Sequence, residues 1–403
     1  MVSVHTVCAK GARDQVDTVD VVLRSYRAEV LVFFPGDISA SQEEMMSDSD
    51  LSLWQDWSTE SIATMLAARF PELHIILIRP SRQHDGYSCF DHFLETNATG
   101  DPFNGNYQAS SCTAAEHLLL LLQDISATFG HDRFSLCQSL HVLGFSKGGT
   151  VLNQLLTEIG STVEEEDEEQ TATTSVSFLV SALRALVWLD SGVNDGCCVF
   201  ISDENVMRLA AGKLRLTQPP TQLRVVFSPF QLYSEDYMYE YDDEEIPATS
   251  LELGLDRLQS VMLQECIPFQ VELCCFDREA SLQTHFQVIQ EFTFPAHLSK
   301  ESAPGQTSIR AKRSTTFAAA LNAARSSMQR AKTLSLTCAC MCLALPGMGV
   351  AMGAVLYCLP ALATARGISG PEYVGAKCAG FLDSVFVLLF TGDGSYRWTN
   401  SSS

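Results

Sequence analysis

Ser146 has the surroundings of a nucleophile. It is the centre of Gly144-Phe145-Ser146-Lys147-Gly148, a G-x-S-x-G pattern. A short apolar run, Leu140 to Leu143, leads into it, and Val151, Leu152, Leu155 and Leu156 recur behind it at helical spacing. A strand, a sharp turn and a helix in that order make a nucleophile elbow, in which the serine hydroxyl is thrust above a sheet on strained backbone. Gly144 and Gly148 have a mechanical reason, because side chains at those positions would collide with neighbouring backbone.

A serine hydroxyl is a poor nucleophile at neutral pH unless a base takes its proton, and the base needs a carboxylate to orient it. Behind an elbow the chain order is serine, acid, histidine. Asp190 closes the next apolar strand, and His285 is expected in the loop after the last strand, just before a terminal helix over Phe286 to Phe292. Both then lie at the carboxyl ends of parallel strands, where open α/β sheets build their sites. Asp190-Ser191-Gly192 could also be a simple turn, and Asp277, after the final strand, is a rival acid. His74, His84, His92 and His141 are worse placed, in strands or the early loop. Oxyanion stabilisation needs two backbone N–H groups, one from Lys147 and one from the turn after an early strand, where Gly36 and Asp37 stand. Pro35 has no N–H, so that donor comes from Gly36 or later. Such a set transfers acyl groups and needs no cofactor. No His-rich or C-x-x-C spacing suggests a metal.

The elements that must position these residues alternate. A β-rich run, Ala28 to Phe34, ends in Pro35-Gly36-Asp37; Ser58 or Thr59 caps a helix ending near Phe70-Pro71; a strand follows at His74 to Ile78. Thr113 to Phe129 reads as a long apolar helix, and strands at 184–189, 223–227 and 269–276 alternate with helices at 177–183, 205–211 and 251–264. This rhythm predicts a mostly parallel sheet with helices on both faces. The all-acid run Glu164 to Glu169 and the tyrosine-rich stretch Ser234 to Glu245 read as surface insertions, the second as a candidate lid.

The chain carries a net charge of −22 over 403 residues, unevenly spread. Residues 302–403 hold nine Lys+Arg against three Asp+Glu, which leaves 17 basic against 45 acidic residues, a net of −28, for the rest. An acidic body repels phosphate backbones, so nucleic acid is not an expected partner. The 14 cysteines fall largely in or beside apolar runs and read as reduced, buried thiols. The boundaries expected are an N-terminal extension at 1–27, a catalytic-type domain at 28–294, a basic Ser/Ala-rich linker at 295–333 and an apolar tail at 334–403. Residues 334–365 contain no charge and are long enough to span a bilayer once, so membrane contact through them is expected.

The runs V-L-V-F-F-P-G-D, W-x-x-W-S-x-E-S-I-A-T-M-L-A-x-R-F-P, S-C-F-D-H-F, L-G-F-S-K-G-x-x-V-L-N-Q-L-L, V-W-L-D-S-G and T-H-F resemble the mitochondrial, α/β-hydrolase-like family of human chromosome two open reading frame sixty-nine. The resemblance covers about Ala28 to Phe292. It implies an α/β-hydrolase-like fold, mitochondrial residence and an esterase-like serine hydrolase, with Ser146, Asp190 and His285 in the triad places. The chain departs from the pattern in lacking a presequence-like start, in Ser191 where a second glycine is usual, and in its basic-apolar tail. Two functions follow as expectations: a serine hydrolase acting on an ester, thioester or lipid-like acyl group, or a catalytically silent binding or scaffold protein on the same fold.

Overall fold

The computed structural model describes residues 2–293 apart from 26–27, 85, 104–106, 109–112, 131–133, 135–138, 163–170, 192, 195–196, 199 and 234–249. The acidic run at 164–169, the candidate lid at 234–245, the linker and the apolar tail with its segment 334–365 lie outside the described residues. Among the described residues no helix is long and apolar enough to cross a membrane.

Eight strands form one sheet: β1 (His5–Lys10), β2 (Val16–Val22), β3 (Glu29–Phe34), β4 (Leu73–Ile78), β5 (Leu140–Phe145), β6 (Leu183–Leu189), β7 (Gln222–Phe227) and β8 (Phe269–Leu273). Their spatial order is β1-β2-β4-β3-β5-β6-β7-β8. β2 runs antiparallel to both neighbours, and every other pairing is parallel. The helices are α1 (Gln42–Ser47), α2 (Thr59–Arg69), α3 (Thr113–Phe129), α4 (Gly149–Ser161), α5 (Thr171–Ala182), α6 (Glu204–Arg215), α7 (Pro229–Tyr233), α8 (Ser250–Gln264) and α9 (Leu282–Glu291). α2 and α9 pack together on one face; α3, α4, α6 and α8 form a continuous layer on the other. This is an α/β-hydrolase-type sheet.

Alternation along the strands divides the core. Leu31 and Phe33 of β3, Leu143 and Phe145 of β5, and Val187 and Leu189 of β6 join Ile62 and Leu66 of α2 and Phe286 and Ile289 of α9 in one apolar cluster. The residues between them are buried as well, because helices cover both faces, and the central strands therefore read as unbroken apolar runs.

The expected boundary at residue 28 does not hold. Residues 5–22 are not an extension but a hairpin that completes the sheet. The sequence hides this because two strand acids point inward, each paired far along the chain. Asp20 is fully buried and takes a two-pronged hydrogen bond from Arg79, with both contacts at 2.8 Å. Asp17 meets His117 Nε2 at 2.5 Å and His92 Nδ1 at 2.9 Å. With two buried acids among its seven residues, such a strand looks polar until its partners are known.

Candidate active site

β5 ends at Phe145, and the next residue, Ser146, takes φ 51, the left-handed conformation the elbow requires. A single 3-10 turn, Ser146–Gly148, passes the chain into α4. The two motif glycines are obligatory for steric reasons. A Cβ on Gly144 would lie 2.6 Å from the Gly148 carbonyl oxygen, and one on Gly148 only 2.2 Å from that of Phe34. The elbow is thus wedged against the end of β3.

Asp190 leaves β6 with φ 46 and is fully buried. Its N–H donates to Val226 O at 2.7 Å, and its carboxylate accepts from Ser228 N at 2.6 Å and from the Ser228 hydroxyl. The carboxylate also meets His285, whose Nδ1 lies 2.7 Å from Asp190 Oδ2. A carboxylate accepts only, so the neutral imidazole carries its proton on Nδ1 and turns an Nε2 lone pair away from Asp190. The ring lies between Phe145 and Phe230, with centroids 4.4 and 4.6 Å away. Of the expected rivals, Asp277 is exposed, and the His285 ring is committed to Asp190.

His285 is not in a loop. It stands in the first turn of α9, where Ser281 caps the helix by accepting from Thr284 N. Phe286, beside it, stacks on Trp57 with centroids 5.0 Å apart, which ties α9 to the tryptophan block of the sequence. Among the described residues, the hydrogen bond of the His285 ring is the one to Asp190, and none joins it to the Ser146 hydroxyl.

Gly36 faces the elbow directly: a Cβ there would lie 2.5 Å from Ser146 Cβ. Ser88 fixes the adjoining peptide, its hydroxyl donating to Gly36 O at 2.8 Å and its N–H to Asp37 Oδ1 at 2.7 Å. In a trans peptide the N–H points opposite to the carbonyl, so the Asp37 N–H is turned away from Ser88. Burial pushes the Asp37 carboxyl up to about 6; Lys147 and the Ser88 N–H oppose the shift, and Asp101 adds to it. The Lys147 side chain is buried and ion-paired, Nζ to Asp101 Oδ1 at 2.7 Å, above the Tyr87 ring. It therefore pins the 87–101 loop to the elbow.

Ser191, the departure from the usual glycine, also acts on the elbow. Its buried hydroxyl donates to Ser146 O at 2.9 Å and lies within 3.2 Å of Gly144 O. Sequence reasoning missed Ser88, Asp101, Ser228 and Phe230; Ser88 opens the run S-C-F-D-H-F without any sign of its role, and the other three belong to no motif. Ser228 could have been suspected, since it directly follows β7 as Asp190 follows β6.

Asp17, His92 and His117 are close enough to suggest a metal. Ala12 N–H donates to His117 Nδ1 at 2.9 Å, which puts the ring proton on Nε2, facing Asp17. That nitrogen has no lone pair for a cation, so the group is a hydrogen-bond relay that staples the hairpin to α3.

The geometry has sequence relatives. The C2orf69 family matches residues 18–135 and 131–233. A "Mitochondrial protein C2orf69 homolog" of Danio rerio is 30% identical over 278 residues, covering 65% of this chain and 72% of its own. The "Mitochondrial protein C2orf69" of Homo sapiens is 25% identical over 228 residues, 44% of this chain, and the chain spans only 56% of that relative's length. Among solved structures, a dienelactone hydrolase of Anabaena variabilis is 11% identical with a TM-score of 0.34, covering 72% of this chain and 94% of that one. The esterase Est22 is 8% identical with a TM-score of 0.38, covering 72% and 76%. In two overlapping segments the match runs from within β2 through the elbow and Asp190 to the turn that carries Ser228, more than half of the chain, and the chain belongs to the C2orf69 family.

Proposed function

We propose that the protein is a serine hydrolase acting on an ester, thioester or lipid-like acyl group, resident in mitochondria as its relatives' names say of them. Ser146 attacks the acyl carbonyl. His285 Nε2 takes the serine proton and later gives it to the leaving group, while Asp190, held by Ser228, keeps the proton on Nδ1 and stabilises the imidazolium. The backbone N–H of Lys147 and that of Gly36 or Asp37 receive the oxyanion. Of the two in the turn we favour Asp37, because Ser88 holds the Gly36 carbonyl on the opposite side. The observation that carries the reading is the 2.7 Å contact between His285 and a buried Asp190 at the same sheet edge as a serine at positive φ.

A fluorophosphonate probe tests it. The full chain should be labelled, with labelling abolished by Ser146→Ala and reduced at least about 100-fold in rate by His285→Ala. Labelling that persists in Ser146→Ala overturns the assignment. One observation favours a second reading, a silent binding protein: the Ser146 hydroxyl is not hydrogen-bonded to His285. That reading expects a folded wild-type chain which the probe never labels.

A further inference from the structure

A second chemistry-bearing cluster lies beyond the end of β8. Cys274 and Cys275 follow the strand directly, and Cys275 takes φ 59. In extended backbone successive side chains point to opposite faces. Here the left-handed residue brings both thiols together, with Sγ atoms 3.5 Å apart and both residues more than nine-tenths buried. The backbone around them is fixed, Cys274 N donating to Phe227 O at 2.7 Å and Arg278 N to Cys275 O at 3.0 Å. Glu291, the last residue of α9, brings Oε2 to 3.4 Å from Cys275 Sγ, and the three donor atoms all lie within 4.8 Å of one another.

These separations have a chemical scale. Around a tetrahedral zinc with Zn–S about 2.3 Å and Zn–O about 2.0 Å, two sulfurs stand about 3.8 Å apart and a sulfur and an oxygen about 3.5 Å. The 3.5 and 3.4 Å separations are close to those edges, and the third, Cys274 to Glu291, lies within 4.8 Å. A disulfide suits the pair less well: neighbouring Cα atoms are about 3.8 Å apart, below the roughly 4.4 Å at which unstrained bridges begin. The surrounding charge is favourable, with the Arg69 guanidinium also near Cys274 and Glu291. Two thiolates and a carboxylate against a divalent ion leave one negative charge, and Arg278 supplies its counterpart. Its guanidinium bonds Glu291 Oε1, stands 3.7 Å from Cys275 Sγ and is itself held by Gln287 Oε1 at 2.6 Å.

We infer that Cys274, Cys275 and Glu291 form a site for one zinc ion, oriented by Arg278, with the fourth tetrahedral position left to water. Thiolates select a soft ion over magnesium or calcium. The site joins the end of β8 to the far end of α9, the helix that carries His285, so its role is to clamp that helix. It does not depend on turnover at Ser146.

The test uses the reduced full chain, stripped of metal and titrated with zinc against a chromophoric chelator. Cobalt serves as a spectroscopic stand-in, because thiolate ligation gives a near-ultraviolet charge-transfer band. One zinc per chain and that band are expected. Both should be lost in the double variant Cys274→Ser, Cys275→Ser, and Glu291→Gln, which leaves the thiols and the packing in place, should weaken binding at least about 10-fold. Arg278→Gln, an outer partner, should weaken it about 10- to 100-fold. An undiminished zinc count or cobalt band in the double variant overturns the site, as does a reduced wild-type chain that binds no zinc. Fluorophosphonate labelling, followed in parallel, separates failure of this site from failure of the hydrolase.

Discussion

Asp37 is placed at a cost. Its carboxyl sits in the turn beside the elbow, where burial raises its pKa from 3.8 to about 6. An acid whose folded pKa exceeds its unfolded one binds an extra proton in the fold between those values. Stability from this residue is therefore full below about pH 4, falls as pH rises through about 6, and is flat above. Asp37→Asn removes the ionisation and keeps an acceptor for Ser88 N. Urea denaturation should show the variant more stable than wild type by about 1–2 kcal/mol at pH 8, less than the whole shift would give because the side chain is only partly buried, and no different near pH 4. The placement is intelligible if the residue is retained for its backbone N–H rather than its carboxyl.

At the scale of elements, backbone contact decides which glycines matter. Gly148→Ala drives a Cβ to 2.2 Å from Phe34 O, a clash of backbone on backbone, and should cost about 3 kcal/mol by chemical denaturation. Gly212, inside α6, has nothing within 4 Å of its missing Cβ, and Gly212→Ala should add about 0.5–1 kcal/mol from helix propensity. The sequence was most legible where a strand is apolar throughout and ends in a turn. The runs at 28–34, 140–143 and 184–189 are readable for that reason, as is the placement of Asp190, although the strands extend to Phe145 and begin at Leu183. The helix at 113–129 showed itself by its apolar run. The apolar spacing places the start of α9 at Phe286 and His285 in a loop, because the cap formed by Ser281 and Thr284 is polar and carries no apolar period. The hairpin was lost because its acids are neutralised by residues about 60 and 100 positions away. Cys274 and Cys275 passed unnoticed as ligands because zinc is sought in spaced pairs, whereas here a single left-handed residue does the work of spacing.

For the molecule as a whole, the family match stops at residue 233, short of α8, β8 and α9. His285 and the cysteine cluster thus lie past the family match, and the Danio rerio relative covers 65% of the chain. The amino-terminal hairpin has the widest consequence. A trimmed chain beginning at residue 28, where composition suggests a boundary, would leave Arg79 without Asp20 and bare the hydrogen-bonding rim of β4, whose residues are all apolar but His74. An uncovered, apolar rim of that kind recruits strands from other molecules. Size-exclusion chromatography of the trimmed chain should show soluble aggregates or material lost to the pellet, while the full chain elutes as a defined species. On that outcome the hairpin at residues 5–22 is a guard against self-association, a task that no reading of the catalytic motif would assign to it.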